Sequence, residues 1–402
     1  MPRSYEFAAP AATAVIPIPA PAAARAPRTV LPPVHPSAPP HPSAPPHPST
    51  PLHPSAPPHP SAPLHSTLPL HAAAPPVRAL LRRYRNAGEP LSCEPVAQGL
   101  LNRGYRLLTT RGAYFLKHHL DGDRDTITRQ HRATERLRTL GVPVAPPVEN
   151  TDGETVAVIG GHCYALHPWI DGRHRDGSQL STAGSHDLGA LLGLVHTCLE
   201  RVMEPDPPAL AYVSPDPADT FDLIDELLSL ARGRTRRDVF DALAEHRLME
   251  RRDLLELHAH RRPPPGAEPA TGWVHGDFHP LNLLYRGDEP VAIIDWDRLG
   301  VQPRAEEAVR AAAIFFVRPT GELELTKVRA YARAYRRAAG ARASELAAAV
   351  HRVWWERLND FWILRWRYQL DDRRADPLFA AVSALAVWWT REYEAVREAF
   401  AG

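Results

Sequence analysis

Trp273-Val-His-Gly-Asp-Phe-His-Pro-Leu-Asn-Leu-Leu-Tyr285 and Val291-Ala-Ile-Ile-Asp-Trp-Asp297 read as one unit. The pattern predicts a short loop, a strand, a tight turn over Arg-Gly-Asp-Glu-Pro, and a second strand. The loop supplies a carboxylate, Asp277, and an amide, Asn282. The second strand ends on another carboxylate, Asp295. A hairpin folds its ends together, so these three side chains are expected to converge. Two carboxylates and an amide oxygen, with no cysteine among them, suit a hard cation such as Mg²⁺. They also suit phosphoryl transfer, in which one Asp receives the proton of the attacking hydroxyl while the Asn and the other Asp hold the metal. The bland alternative is a surface hairpin with polar turn residues.

The pair of segments resembles the catalytic and metal-binding segments of the aminoglycoside phosphotransferase and choline kinase superfamily. The pattern there is His-Gly-Asp, an Asn five residues after the Asp, and an Asp closing an apolar strand. His275-Gly-Asp277, Asn282 and Asp295 match each point. The resemblance implies an α+β, bilobal, protein-kinase-like fold, with a small N-lobe of antiparallel sheet and one helix before a larger, mainly helical C-lobe. It implies ATP and Mg²⁺ as cofactors and transfer of the γ-phosphate to a hydroxyl of a small molecule. Asp277 would be the base, Asn282 and Asp295 the metal ligands, His275 a brace for the loop and Asp297 a residue just behind the ligands.

Composition sets the frame. Of 402 residues, the first 75 or so are Pro- and Ala-rich, and His-Pro-Ser-Ala-Pro-Pro-like units place His35, His41, His47, His53, His59, His65 and His71 six apart. A polyproline II helix with three residues per turn would set these histidines on one face. Such a tract cannot build a core. It reads as a semi-rigid disordered tail and as a candidate for metal or protein-partner capture. The expected division is therefore a tail at 1–75, an N-lobe at 76–168 and a C-lobe at 169–402. A formal net charge of +1 gives no reason to expect a nucleic-acid partner. Three scattered cysteines, Cys93, Cys163 and Cys198, fit reduced thiols and a cytoplasmic setting. No apolar run approaches the ~20 residues of a membrane span.

Strands are predicted around Tyr105–Leu107 and Tyr114–Lys117, joined by a turn at Thr109-Thr-Arg-Gly112. Gly99 and Gly104 would let backbone N–H groups approach phosphates, and Lys117 would pair with them. The run Gly99, Asn102, Tyr105, Thr109, Gly112, Tyr114 and Lys117 resembles the phosphate loop and lysine strand of the type II homoserine kinase and CotS-like branch. Periodicity predicts a helix over 127–140. In related kinases a Glu on this helix holds the lysine, but here that position is Gln130, with Glu135 the nearest acid. Either Gln130 bonds Lys117 directly or Glu135 replaces the missing partner. Asp152-Gly153 predicts a hairpin turn before the strand Gly161–His167. Pro168-Trp-Ile-Asp-Gly172 is similar to the family's segment between the lobes, whose backbone holds adenine, which makes His167 and Trp169 candidate nucleotide contacts.

Helices are predicted from Asp187 onward, at 219–233, 236–261, 325–338, 343–370 and 377–400. Gly189 and Gly193 would allow close helix packing, and His196 reads as a structural residue. Glu307 matches an acid that in the family fixes the catalytic loop. Trp355, Leu358, Trp362 and Trp366 share a helical stripe that reads as core. The reading is an ATP-dependent small-molecule kinase. A protein Ser/Thr kinase and a nucleotide-binding pseudokinase or scaffold are the alternatives, the latter motivated by Gln130.

Overall fold

In the computed structural model, residues 75–96, 102–120, 123–204, 214–264 and 269–402 are described. The His-Pro repeat and Gly99 lie outside the described residues. The chain enters through α1 (Val77–Arg83) and then forms β1 (Pro90–Val96), β2 (Arg103–Thr109), β3 (Gly112–His119), α2 (Arg124–Thr139), β4 (Ala157–Ile159) and β5 (His162–Pro168). The five strands make one antiparallel sheet in the order β1-β2-β3-β5-β4. Leu107, Leu116 and Leu166 alternate toward one face and pack with Leu80, Leu81 and Tyr84 into a small core. The β2–β3 turn is the expected one, and Thr109 closes it by accepting from Arg111 N at 3.0 Å.

The second hairpin differs from expectation. It turns at Gly160-Gly161, both at positive φ (59° and 80°), as a two-residue turn between twisted strands requires. Asp152-Gly153 lies earlier, in a turn held by Asn150, whose side-chain oxygen accepts from Asp152 N at 2.8 Å and Glu154 N at 3.0 Å. Helix α2 starts where Asp123 accepts from Thr126 N at 2.8 Å, and it buries Ile127, Gln130, His131, Ala133, Thr134 and Leu137.

The larger part is mainly helical: α3 (Thr182–Val202), α4 (Pro217–Arg232), α5 (Val239–His258), α6 (Arg304–Phe316), α7 (Leu325–Ala339), α8 (Ala343–Asn359), α9 (Trp362–Gln369), α10 (Asp376–Arg391) and α11 (Tyr393–Ala401). Four short strands lie between α5 and α6: β6 (Thr271–Val274), β7 (Leu283–Arg286), β8 (Glu289–Ile293) and β9 (Gly300–Pro303). β7 and β8 form the expected hairpin, and β6 pairs with β9, a ladder the hydrophobic pattern did not announce. The predicted helix 343–370 breaks at Asp360, whose carboxylate caps the next helix by accepting from Trp362 N at 3.0 Å. Trp355 is fully buried and Trp366 nearly so, which makes the aromatic stripe core as expected. No described helix is long and apolar enough to cross a membrane.

Three features position the hairpin. Ile293 N donates to Pro143 O at 2.7 Å, tying β8 to the connector after α2. Arg173 and Tyr285 exchange both backbone bonds, at 2.8 and 2.9 Å, tying β7 to the segment after β5. On the far side Leu283, Tyr285 and Ile293 join the large helical core. The hairpin is thus fixed to both parts of the molecule.

Candidate active site

The loop before β7 is held by a buried brace. Glu307, in the first turn of α6, accepts from His275 N at 3.3 Å and from Gly276 N, and also pairs with His196 Nε2 at 2.7 Å. His196 is in turn bonded through Nδ1 to the Tyr335 hydroxyl at 3.0 Å. Burial alone would raise the Glu307 carboxyl, but the His196 hydrogen bond and the neighbouring charges hold it below the usual range. Gly276 has φ 83°, and a Cβ there would fall 2.2 Å from Arg298 O, so only glycine fits.

His275 is fully buried. Its Nε2 donates to Ile294 O at 3.0 Å while Nδ1 accepts from Asp277 N at 3.2 Å. Burial keeps the ring neutral by lowering its pKa. The ring therefore braces the loop against the end of β8, as expected.

Asp277 and Asn282 are in contact, and the backbone ties Asn282 to the residue before Asp295. Asn282 Nδ2 donates to Asp277 O at 2.8 Å and approaches Asp277 Oδ2 at 3.4 Å. The Asn282 backbone accepts from Ile294 N at 2.9 Å, which sets it beside Asp295. His279 Nε2 lies 3.4 Å and Arg298 Nε 4.0 Å from Asp277 Oδ2. Burial pushes the Asp277 carboxyl up, but the His279 hydrogen bond and the Arg298 guanidinium bring it below its ordinary value, so it is ionised at neutral pH. Sequence reasoning did not place His279 and Arg298 here. Their positions two and twenty-one residues beyond Asp277 gave only loop residues with no shared period.

Asp295 takes a left-handed backbone, φ 61° and ψ 67°, uncommon outside glycine and tolerated best by Asp and Asn. Trp296 turns into the core, its Nε1 donating to Ile293 O at 3.1 Å, so the residues on either side face outward together. Lys117 Nζ, from β3, sits 2.7 Å from both Asp295 Oδ1 and Asp297 Oδ2. The two carboxylates hold the lysine above its ordinary pKa although burial works the other way. Lys117 in turn holds Asp295 well below the carboxylate range against its burial.

The remaining expected nucleotide contacts fall as follows. Gln130 does not reach Lys117; its Nε2 donates to Asp297 O at 2.8 Å. Lys117 forms its ion pairs with Asp295 and Asp297, not with Glu135. Asn102 donates to Asp297 Oδ2 and accepts from Leu120 N at 3.0 Å. Gly104 lies within β2 opposite Lys117, and a Cβ there would come 2.6 Å from the Phe115 ring, so its small size serves sheet packing. His167 Nδ1 bonds Ala145 O at 3.0 Å, and burial lowers its pKa to about 4. The Trp169 amide donates to Ala113 O at 3.1 Å, and its ring lies under Arg106.

Among the described residues no three His, Cys, Asp or Glu side chains form a ready-made metal cluster. Mg²⁺ commonly uses one or two protein oxygens and completes its shell with phosphates and water. Asn282, its amide nitrogen turned to Asp277 so that its oxygen faces away, and Asp295 could supply those two oxygens.

Comparison with known proteins identifies the family and the fold. The model of the phosphotransferase enzyme family matches residues 92–341, more than half of the chain. No curated protein matches the chain in sequence. Among solved structures, spectinomycin phosphotransferase in complex with ADP and spectinomycin superposes with a TM-score of 0.55 at 14% identity, covering 78% of this chain and 98% of that one. A microcompartment-associated aminopropanol kinase gives 0.53 at 16% identity, covering 81% and 99%. Amicoumacin kinase in complex with AMP-PNP and Ca²⁺ gives 0.51 at 18% identity, covering 80% and 93%. At these identities the likeness shows the kinase-like fold. With the family model spanning both the lysine strand and the Asp-bearing hairpin, the chain belongs to the phosphotransferase enzyme family.

Proposed function

We propose that this small-molecule phosphotransferase uses ATP and Mg²⁺ and acts on a hydroxyl group, with Asp277, Asn282, Asp295 and Lys117 as its working residues. The observation that carries the reading is the meeting of Lys117 with Asp295 beside the Asp277–Asn282 pair, across 178 residues of sequence. Lys117 would neutralise phosphate oxygens. Asn282 and Asp295 would hold Mg²⁺, which when bound offsets the negative charge of the transferring group. Asp277, ionised and of low basicity, would orient the acceptor hydroxyl and take its proton as the new bond forms. Phosphoryl transfer depends on such positioning and charge stabilisation more than on a strong base.

ADP and AMP-PNP in two structural relatives support a nucleotide in the same cleft. The acceptor is proposed only as a hydroxyl-bearing small molecule. The branch containing homoserine kinases is proposed from the run ending at Lys117. We place the enzyme in the cytoplasm on its three free cysteines, and give the tail at 1–75, the N-lobe at 76–168 and the C-lobe at 169–402 as its organisation.

Mass spectrometry of phosphate transfer from Mg-ATP to a panel of aminoglycosides, amino alcohols and homoserine-like metabolites tests this, with a generic peptide panel beside it. Asp277→Asn should lower kcat by about 10²–10⁴-fold while leaving nucleotide affinity within about twofold, since Asp277 faces the acceptor. Transfer to peptides alone would favour the protein-kinase alternative. A wild-type chain that neither binds ATP nor transfers phosphate would overturn the reading.

A further inference from the structure

We propose that Asp297 is the positioning carboxylate of Lys117, taking the part that an acid on helix α2 would otherwise play. The inference rests on the kinase reading above. Helix α2 presents Gln130 at that place, and its amide goes to the main chain of Asp297 at 2.8 Å. The Asp297 carboxylate is 2.7 Å from Lys117 Nζ and is also held by the Asn102 amide, itself fixed at its other end by Leu120 N. Asp297 is therefore gripped at its backbone by α2, at its carboxylate by the residue entering β2, and by the lysine of β3.

One lysine faces two carboxylates, and the two are not equivalent. Asp295 keeps 41% side-chain exposure and Asp297 26%, so Asp295 is the one open to the cleft. When a cation engages Asp295, the lysine needs another counter-charge, because a buried ammonium without a partner is costly. Asp297 supplies it and keeps Nζ aimed. The Asp-Trp-Asp spacing makes this possible: Trp296 is buried, which places the flanking carboxylates on one side. Gln130 then keeps the geometry without adding a third negative charge.

A double-mutant cycle tests the proposal on the full-length protein. Wild type, Asp297→Asn, Lys117→Ala and the double variant are compared by calorimetric affinity for Mg-ATP and by KM and kcat. Asp297→Asn should weaken Mg-ATP binding by about tenfold when Lys117 is present and by less than about twofold in the Lys117→Ala background. The Mg²⁺ concentration for half-maximal activity at saturating ATP should stay unchanged. Asn102→Ala, which releases the carboxylate without removing it, should give a smaller loss that also vanishes without Lys117, and it carries the test if Asp297→Asn fails to melt cooperatively. Equal losses in both backgrounds overturn the proposal. So does a shift in Mg²⁺ half-saturation with ATP affinity intact, which would make Asp297 a metal ligand. An inactive wild type would fault the kinase reading instead, whereas an active wild type with an additive cycle faults only this assignment.

Discussion

Glu307 carries three hydrogen bonds, from His196 Nε2, His275 N and Gly276 N. Replacing it with Gln keeps the shape but turns one acceptor into a donor facing a donor. Glu307→Gln should cost about 1–3 kcal/mol, the range for a buried polar group left unpaired, and urea denaturation would measure it. Activity should fall as well, because the same bonds fix His275 and Gly276 before Asp277. A stability equal to wild type would show that the brace is not needed. At this scale the sequence was legible where residue type and spacing bring side chains together: pattern and resemblance singled out Asp277 with Asn282 and Lys117 with Asp295, and the fold puts each pair in contact. It was not legible where a side chain chooses between partners far apart in the chain. Gln130 lies 167 residues from Asp297, and nothing in the local sequence says that its amide seeks a carbonyl rather than the lysine.

Helix α3 crosses α7 with almost no space between their backbones. A Cβ on Gly189 would fall 2.1 Å from Tyr331 O, and one on Gly193 2.7 Å from the Ala338 Cβ. Alanine normally favours a helix over glycine by about 1 kcal/mol, but a main-chain oxygen cannot turn aside. Gly189→Ala should therefore destabilise the protein by about 1–3 kcal/mol, the usual cost of overpacking. Gly184, on the same helix but with its nearest neighbour 3.6 Å from a built Cβ, is the control: Gly184→Ala should be neutral or stabilising in the same melt. The close crossing was readable from two glycines four apart in an apolar stripe. The β6–β9 pair was not, because strands of four residues carry too little alternation to stand out. The split of 343–370 was hidden for a related reason: Trp355, Trp362 and Trp366 keep helical spacing across a break made by Asp360.

For the molecule as a whole, three buried histidines behind Lys117 set a response to acid. His119, His131 and His167 are lowered by burial, to about 2, about 3 and about 4, with the charge of Lys117 adding to the effect in each. Their folded pKa values lie below the unfolded value near 6.5, so below that pH the unfolded chain binds more protons than the folded one. Stability is full above about pH 6.5 and is lost as pH falls through and below it. Each histidine should contribute a loss of about 1 kcal/mol between pH 7.5 and 5.5. Denaturant midpoints at the two pH values would measure this loss together with that of His275 and the other lowered histidines, and a pH shift no smaller in a variant with His119, His131 and His167 each replaced by Gln would mean that these three rings titrate freely. Deleting residues 1–75 should leave the pH 7.5 melt and Mg-ATP affinity as they are; a loss of either would tie the tail to the folded part.

The contact of Lys117 with both carboxylates also bears on the order in which ligands can load. If Asp295 takes the cation and Lys117 the phosphates, as proposed, then in the free protein the carboxylate already faces an ammonium and the ammonium already faces two carboxylates. Metal alone must compete with the lysine, and nucleotide alone must draw the lysine from its anions. Each ligand relieves the other's competitor, so the two are expected to bind with positive heterotropic coupling. Linkage requires the factor to be reciprocal: the gain in metal affinity caused by nucleotide equals the gain in nucleotide affinity caused by metal. Calorimetric titrations in both orders, corrected for the affinity of metal and nucleotide for each other in water, would return one number if the contact governs loading, and that number should shrink toward unity in Lys117→Ala.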